Sequence, residues 1–500
     1  MTAARPRLVN APTNSPTGRL GGALIRAENA RPGSPDWVLA LPDGPQRAIE
    51  GFADRPSASH GEAVRLFVRS RTDRFSVEAY RLGWYGGAKA RLVWAAAGVP
   101  GGAQPAPRID PLTKMVDCSH WSPSLTFTPD DRWVHGQYLL KLVQTDGRAS
   151  YVPFVVRSDA PRSDVLVVAQ VTTGAAYDTW GGHSLYTGED GKLRERADVV
   201  SLDRPFGGGY GGAGWLLGGT SEIARLLESQ GVDVSYATSV DQHADPQSMS
   251  RHNLVISGAH DEYYSPQMRF GLQDAVNFGV NVMFLGANAI YRKIRFEDSP
   301  LGSNRRIVNY RSARTDPERD PALVTTNWGE GPDPLPESSL TANCYESNGP
   351  GVHADMQIVD GEGWMIAGTG LQGGTLIARG VQDEWDRVRS GKPLPDQLQI
   401  LAHSPVTVRG RRSYSDMTYA TVPSGAAIFN SGTLMFQQRM GPLAAPGSTE
   451  EDNSLRRLVL NLVTALGAGP AARNYPARPN VNLVYPYGSG GAVVGHDPSM

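Results

Sequence analysis

VLVVAQV, residues 165–171, followed by TTGAAYDTWGGHSLY, residues 172–186, decides how this chain is read. A short continuous apolar run that ends in polar and glycine residues is the mark of a strand buried on both faces. The same pattern recurs twice. NLVIS (253–257) leads into GAHDEYYS, and VNVMFLG (280–286) leads into ANAIY. Between these runs lie helical patterns. TSEIARLLESQ (220–230) places Ile223, Leu226 and Leu227 on one stripe behind a Thr220 or Ser221 cap, and Gly231 stops it. Residues 266–278 do the same with Met268, Leu272 and Val276 before Gly279, and VDVSYAT supplies one more strand. Strands alternating with helices predict an α/β fold built on a doubly wound, mostly parallel sheet. Ligands of such sheets bind just beyond the carboxyl ends of the strands. The three runs end on Tyr177, Asp178, His183 and Tyr186, on His260, Asp261, Glu262 and Tyr263, and on Asn288 and Tyr291. One shared pocket is therefore expected there.

Upstream the rhythm is different. From residue 48 to 160 short runs alternate with period two, as in AVRLFVRS with Val64, Leu66 and Val68 on one face, FSVEAYRLGWY and QYLLKLVQ. This predicts an all-β unit, an immunoglobulin-like β-sandwich. Trp84-Tyr85 before Gly86-Gly87 reads as core and turn packing, with a ligand face as the alternative. Residues 1–47, rich in Pro, Gly, Asn and Arg, predict an extended arm, and residues 468–500 an extended tail. The α/β domain then occupies 161–467. Within it, 300–410 is turn-rich without a dominant period, 424–436 reads as a strand pair around Asn430-Ser431-Gly432, and 453–466 as an amphipathic helix.

Composition narrows the function classes. Five hundred residues exceed one ordinary core, and 57 glycines with 37 prolines, about a fifth of the chain, fit a turn-rich β portion. A net charge of −2 favours neither nucleic acid nor an anionic membrane, and suits a small neutral substrate. Two cysteines form no disulfide framework, the first twenty residues hold no apolar signal core, and no apolar run reaches the ~20 residues of a membrane span. A cytoplasmic protein is the expectation.

His260 and Glu262, two apart at a strand end, point the same way if the chain stays extended. Tyr177 and Tyr186 flank Gly181-Gly182; as phenolates they would suit a hard trivalent ion such as Fe(III), whereas their ordinary role is a hydrogen-bonded place in the core. Together with Glu262 they become a candidate metal set. Competing motifs fail. No G-x-S-x-G elbow occurs, and Ala259-His260 stand where an amidotransferase would carry its cysteine. The run GGGYGGAG (207–214) has no Gly-Lys-Ser/Thr ending and reads as a flexible loop or lid. Zinc signatures are missing.

Across roughly residues 48–440 the chain resembles the large (β) subunit of N,N-dimethylformamidase and its single-chain relatives. The stretches that carry this are IEGFADRPS, YRLGWYGG with ARLV, HGQYLLKL, SYVPFVVR, AYDTWGG with SLY, VSLDRPF, GAHDEYYS, MRF, GVNVMFLGANAIYRKIRFE, VQDEWDRV and PSGAAIFNSGT. The resemblance implies an amidohydrolase whose α/β domain is like that of the class I glutamine amidotransferases. It also implies a mononuclear iron held by two tyrosines and a glutamate. Those ligands fall on Tyr177, Tyr186 and Glu262, with Tyr210, Tyr263 and Tyr291 as alternatives. His260 would lie beside the metal, Glu384 of QDEWDR would be the general base, and Asn288 joins them from its strand end. Phe154, Phe206, Trp180 and Trp385 are expected to line an apolar cavity. A small partner subunit is implied as well, with a homo-oligomer as the other arrangement. The rival from a different class is a non-catalytic binding protein whose β unit recognises a carbohydrate or a surface partner. Metal content separates the two: near-stoichiometric iron with a visible phenolate-to-metal band is expected of the enzyme. A metal site requires both tyrosine hydroxyls and the Glu262 carboxylate within roughly 5 Å of one another.

Overall fold

Alternation along the strand Val165–Ala169 shows how the α/β part is layered: Val165 and Val167 pack into one apolar core, Leu166 and Val168 into another on the opposite face. The computed structural model describes residues 18–39, 48–158, 162–207, 209–440 and 450–486. The protein is mixed α/β, with many strands in several sheets. Its central sheet has seven strands in the spatial order Val234–Thr238, Val165–Ala169, Leu254–His260, Asn281–Ala287, Ala427–Asn430, Arg411–Thr421 and Gln397–Val408. The first five run parallel, and Arg411–Thr421 pairs antiparallel with both of its neighbours. Strand Val165–Ala169 comes first in the chain but lies second in the sheet: the chain passes to Val234–Thr238 on one side and then back across to Leu254–His260 on the other. This opens a crevice at its carboxyl end.

Helices cover both faces. Ser221–Ser229 and Glu450–Leu466 bury Ile223, Leu226, Leu458 and Leu462 on one side, and Pro266–Asn277 buries Met268, Leu272 and Val276 on the other. The sequence placed these helices well. Pro266–Asn277 begins where the Ser265 hydroxyl accepts the Met268 N–H, and it stops before Gly279 at φ +90°. Residues 424–436 do not form a strand pair. Only Ala427–Asn430 is a strand, and the following residues are drawn elsewhere: Leu434 N–H donates to the Glu384 carbonyl, and Asp386 N–H to that of Gly432. The indistinct 300–410 region contains a long hairpin, Cys344–Gln357 with Leu376–Arg387, and one strand, Gln397–Val408, of the antiparallel pair that widens the central sheet.

The upstream unit is two sheets. One holds Ile49–Ala53, Val64–Ser70 and Leu125–Phe127. The other holds Ser57–Ala58, Ala149–Val156, Gly136–Gln144, Arg74–Leu82 and Ala90–Pro100. Val64, Leu66 and Val68 face the core between them, as their alternation predicts. Tyr85 is buried rather than presented to a ligand. The β unit docks on the helix Ser221–Ser229 through an ion pair with no exposure on either side: Arg81 reaches both oxygens of Glu228 at 2.7 and 2.9 Å. Glu228 also accepts from Tyr236, and Arg81 donates to the carbonyls of Val134 and His135, so the pair is fully hydrogen-bonded.

The expected arm is in part a helix. Gly18–Asn29 inserts Ile25 into the core beside Ser221–Ser229, while residues 1–17 and 40–47 lie outside the described residues. The expected extended tail is partly packed. The Asn480 amide accepts the Ile400 N–H at 2.7 Å and donates to its carbonyl at 2.9 Å, which closes an edge strand; residues 487–500 lie outside the described residues. Cys118 and Cys344 are free and buried. Among the described residues no helix is long and apolar enough to cross a membrane.

Candidate metal centre and its cavity

The crevice at the carboxyl end of Val165–Ala169 is filled from three directions. The chain leaves that strand into the short helix Val171–Tyr177, whose last residue extends its phenol over the sheet. Tyr186 follows in the next loop. His260 is the final residue of Leu254–His260, and Glu262 lies two positions beyond, its N–H held by the Thr173 hydroxyl at 3.0 Å. Ala259 turns to φ +41°, and its carbonyl passes so close to Gly286 that a Cβ there would meet it at 1.6 Å. Only glycine allows this approach. Asn288 directly follows Asn281–Ala287 at φ +57°, with its N–H on the Asp386 carboxylate. Glu384 enters from the long hairpin.

These groups meet. The Tyr186 hydroxyl lies 2.8 Å from both carboxylate oxygens of Glu262. The Tyr177 hydroxyl is 2.9 Å from Glu262 Oε2, 2.9 Å from the Tyr186 oxygen and 3.1 Å from His260 Nε2. The two phenol rings stack with centroids 4.2 Å apart. His260 Nδ1 is anchored on the Ala287 carbonyl at 3.2 Å, which turns Nε2 towards Glu262 Oε2 (3.4 Å) and Glu384 Oε1 (3.8 Å). Asn288 Nδ2 donates to Glu384 Oε2 at 2.9 Å. The six residues singled out in the sequence therefore form one cluster, and each distance within the tyrosine–glutamate triad is well inside the 5 Å limit.

The alternatives fall elsewhere. The Tyr263 side chain is buried beside the cluster, Tyr291 accepts from Asn327, and Tyr210 stands at the mouth of the cavity. Asp178, His183 and Asp261 have structural partners: Asp178 binds Arg204 and the Gly207 N–H, His183 meets the Glu195 carbonyl, and Asp261 accepts from Ser257 and Tyr264.

Burial pushes both phenols well above the usual tyrosine range, and the charge of Glu262 adds to it. Burial also raises Glu384, where the neighbouring Glu262 charge adds to the effect and His260 opposes it. For His260 burial works against the charge, yet Glu384 and Glu262 outweigh it and lift the imidazole to about 9. Glu262 is held low against its burial by His260 and by Arg292, whose Nε donates to Oε1 at 3.1 Å. Arg292 was not singled out in the sequence, nor was Arg311, which lies over the Tyr186 ring at 4.2 Å. The signal for Arg292 was indirect: a carboxylate placed at a buried strand end needs a nearby cation.

Among the described residues no group of three or more His, Cys, Asp or Glu is arranged for a metal, so a centre here depends on the phenols. The triad fits one. Its three oxygens form a triangle with edges of 2.8–2.9 Å. Adjacent donors around a hard cation with ~2.0–2.1 Å bonds at right angles stand ~2.8–3.0 Å apart. Proton count points the same way. Two phenolic protons, with a third only when His260 is charged, must serve four close contacts between electron-rich atoms.

Tyr177, His260 and Glu384 open onto a cavity of about 320 Å³ whose other walls include Phe206, Tyr210, Trp215, Leu434 and Met435. Of the four aromatics expected there only Phe206 is present. Phe154 belongs to the β core, Trp385 is fully buried against Ser413, and Trp180 donates to Glu50. The Gly-rich 207–214 run contributes Tyr210 and Gly214 to the wall.

The fold and site define a class: a mixed α/β protein with a phenol–carboxylate cluster and a cavity at the carboxyl ends of its sheet. The chain belongs to the N,N-dimethylformamidase beta subunit-like, C-terminal family, whose match spans residues 76–450. No curated protein matches it.

Proposed function

We propose that this protein is a hydrolase of amide C–N bonds, related in chemistry to N,N-dimethylformamidase. The observation that carries the reading is the oxygen triangle of Tyr177, Tyr186 and Glu262 beside His260, Glu384 and Asn288 at the base of one cavity. Family membership supports it. The sheet order supports an amidotransferase-like α/β domain that has lost the cysteine, and the two-sheet β unit supports an immunoglobulin-like one. Membership of a family named for a beta subunit supports a partner chain.

Tyr177, Tyr186 and Glu262 would hold the metal, Fe(III) by the hardness of two phenolates and a carboxylate. When bound, such an ion supplies Lewis acidity towards an amide carbonyl and a water. The protein's own groups do the rest. Asn288 fixes one oxygen of Glu384 and leaves Oε1 towards His260 and the cavity. Raised by burial, Glu384 has the basicity to take a proton from an attacking water and return it to the departing amine nitrogen. His260, charged and held by two carboxylates, donates towards the oxygen on which negative charge develops. Water adds to the carbonyl carbon, the C–N bond breaks, and a carboxylic acid and an amine leave. Arg292 offsets the charge of Glu262 and keeps it oriented.

The test is hydrolysis by iron-loaded full-length protein of N,N-dimethylformamide and a panel of neutral amides, read as amine release. Amine release that is lost in Glu384→Gln supports the reading; no release from any amide by protein of full iron content would contradict it.

A further inference from the structure

The cavity is larger and more apolar than a formamide requires. Tyr177, His260 and Glu384 bring the reactive polar groups to it, Gln170 and Thr173 add two neutral ones, and Phe206, Tyr210, Trp215, Leu434 and Met435 supply a mainly apolar wall. The one carboxylate on that side, Asp178, is 2 % exposed and engaged by Arg204 and the Gly207 N–H, so it offers no charge to a ligand. Tyr177 and Tyr210 remain 40 % and 56 % exposed, a large uncovered aromatic surface inside a binding crevice. The space is created by small residues. Gly174, Gly214, Gly218 and Gly219 all line it, and a Cβ on Gly218 would already meet the Tyr210 ring at 3.0 Å. A dry cavity of about 150 Å³ is enough to hold benzene. About 320 Å³ therefore has room for a ring as well as the reacting amide.

We infer that the substrate is a neutral amide bearing one ring-sized apolar group, aromatic or branched, which lies against Phe206, Tyr210 and Trp215 while the amide faces Glu384 and His260. This rests on the amide-hydrolase reading for its reaction, and on the cavity alone for its class of ligand.

The test compares two formamides that share the reacting group and differ by a phenyl ring, N-methylformamide and N-benzylformamide. Binding to full-length protein is measured calorimetrically, independent of turnover. The benzyl compound should bind about 10- to 100-fold more tightly, the effect of burying one ring. Gly219→Leu adds a side chain at the cavity lining, where, outside its own helix, a Cβ would meet Gln170 Oε1 at 3.4 Å. It should shrink the affinity ratio about tenfold, and Gly219→Ala should fall between the two and serve if the leucine variant does not fold. Equal affinities in the wild type, or a ratio unmoved in both variants, would overturn the inference. Tight benzyl binding without hydrolysis by iron-loaded protein would leave the ligand class standing and remove the reaction. Hydrolysis of N-methylformamide with the benzyl compound excluded would do the reverse.

Discussion

Tyr186 sets its hydroxyl 2.8 Å from both oxygens of Glu262, with Tyr177 completing the triangle 2.9 Å from Glu262 Oε2 and 2.9 Å from the Tyr186 oxygen. An ordinary core tyrosine needs one partner. Here two phenols converge on one carboxylate that Arg292 already neutralises, an arrangement that makes physical sense when a cation is shared among the three.

Glu384 should separate base from ligand. It is bound by Asn288 and lies 3.8 Å from His260, outside the tyrosine–glutamate triangle. Glu384→Gln is expected to keep the metal and lose about 10²–10⁴-fold in kcat, the contribution of a general base. Steady-state amide hydrolysis beside metal analysis of the same sample checks it. Loss of the metal in this variant would make Glu384 a ligand.

The joint between the β unit and the α/β layers should be expensive to break. Arg81→Met strands the Glu228 carboxylate in a site with no exposure, and is expected to lower stability by about 3–5 kcal/mol while leaving metal content unchanged. Denaturant unfolding measures it. Tyr85→Phe removes only the hydroxyl that donates to Glu28 at 2.8 Å and accepts from Arg81 at 3.1 Å, and should cost about 1 kcal/mol or somewhat more without affecting activity.

A pH dependence follows from Asp233. Burial, and then the charge of Asp164, raise its carboxyl to about 7. With the folded value above the unfolded one, its contribution is fully present below about pH 4 and is lost as pH rises through about 7. Asp233→Asn should therefore stabilise the protein at pH 8, by on the order of 1 kcal/mol or more, and give no gain at pH 4. Thermal unfolding of both proteins at the two pH values decides. An equal shift at both would show that the ionised carboxylate is not the cause.

The parts of this molecule legible in its sequence are those where one local rule dominates. VLVVAQV, NLVIS and VNVMFLG read directly as buried strands, and Gly231 and Gly279 mark helix ends by their backbone requirements. The six cluster residues could be named because they stand at those strand ends or in stretches shared with the family. What stayed hidden depends on distance in the chain. Arg292 matters through Glu262, thirty residues earlier. Trp385 and Phe154 looked like cavity walls because an aromatic side chain carries no local sign of which side of a sheet it will bury. The hairpin Cys344–Gln357 with Leu376–Arg387 is interrupted by register shifts, which erase the period of two that would have announced it.

The most direct test of the central claim is the iron content of the purified full-length protein after expression in iron-replete medium, measured beside Glu262→Gln. The wild type should carry close to one iron per chain and show a visible phenolate-to-metal absorption band. Glu262→Gln, which keeps the volume and removes the charge, should lose both while its far-ultraviolet circular dichroism is unchanged. A colourless, metal-free wild type, or a Glu262→Gln variant that retains its iron, would contradict the account.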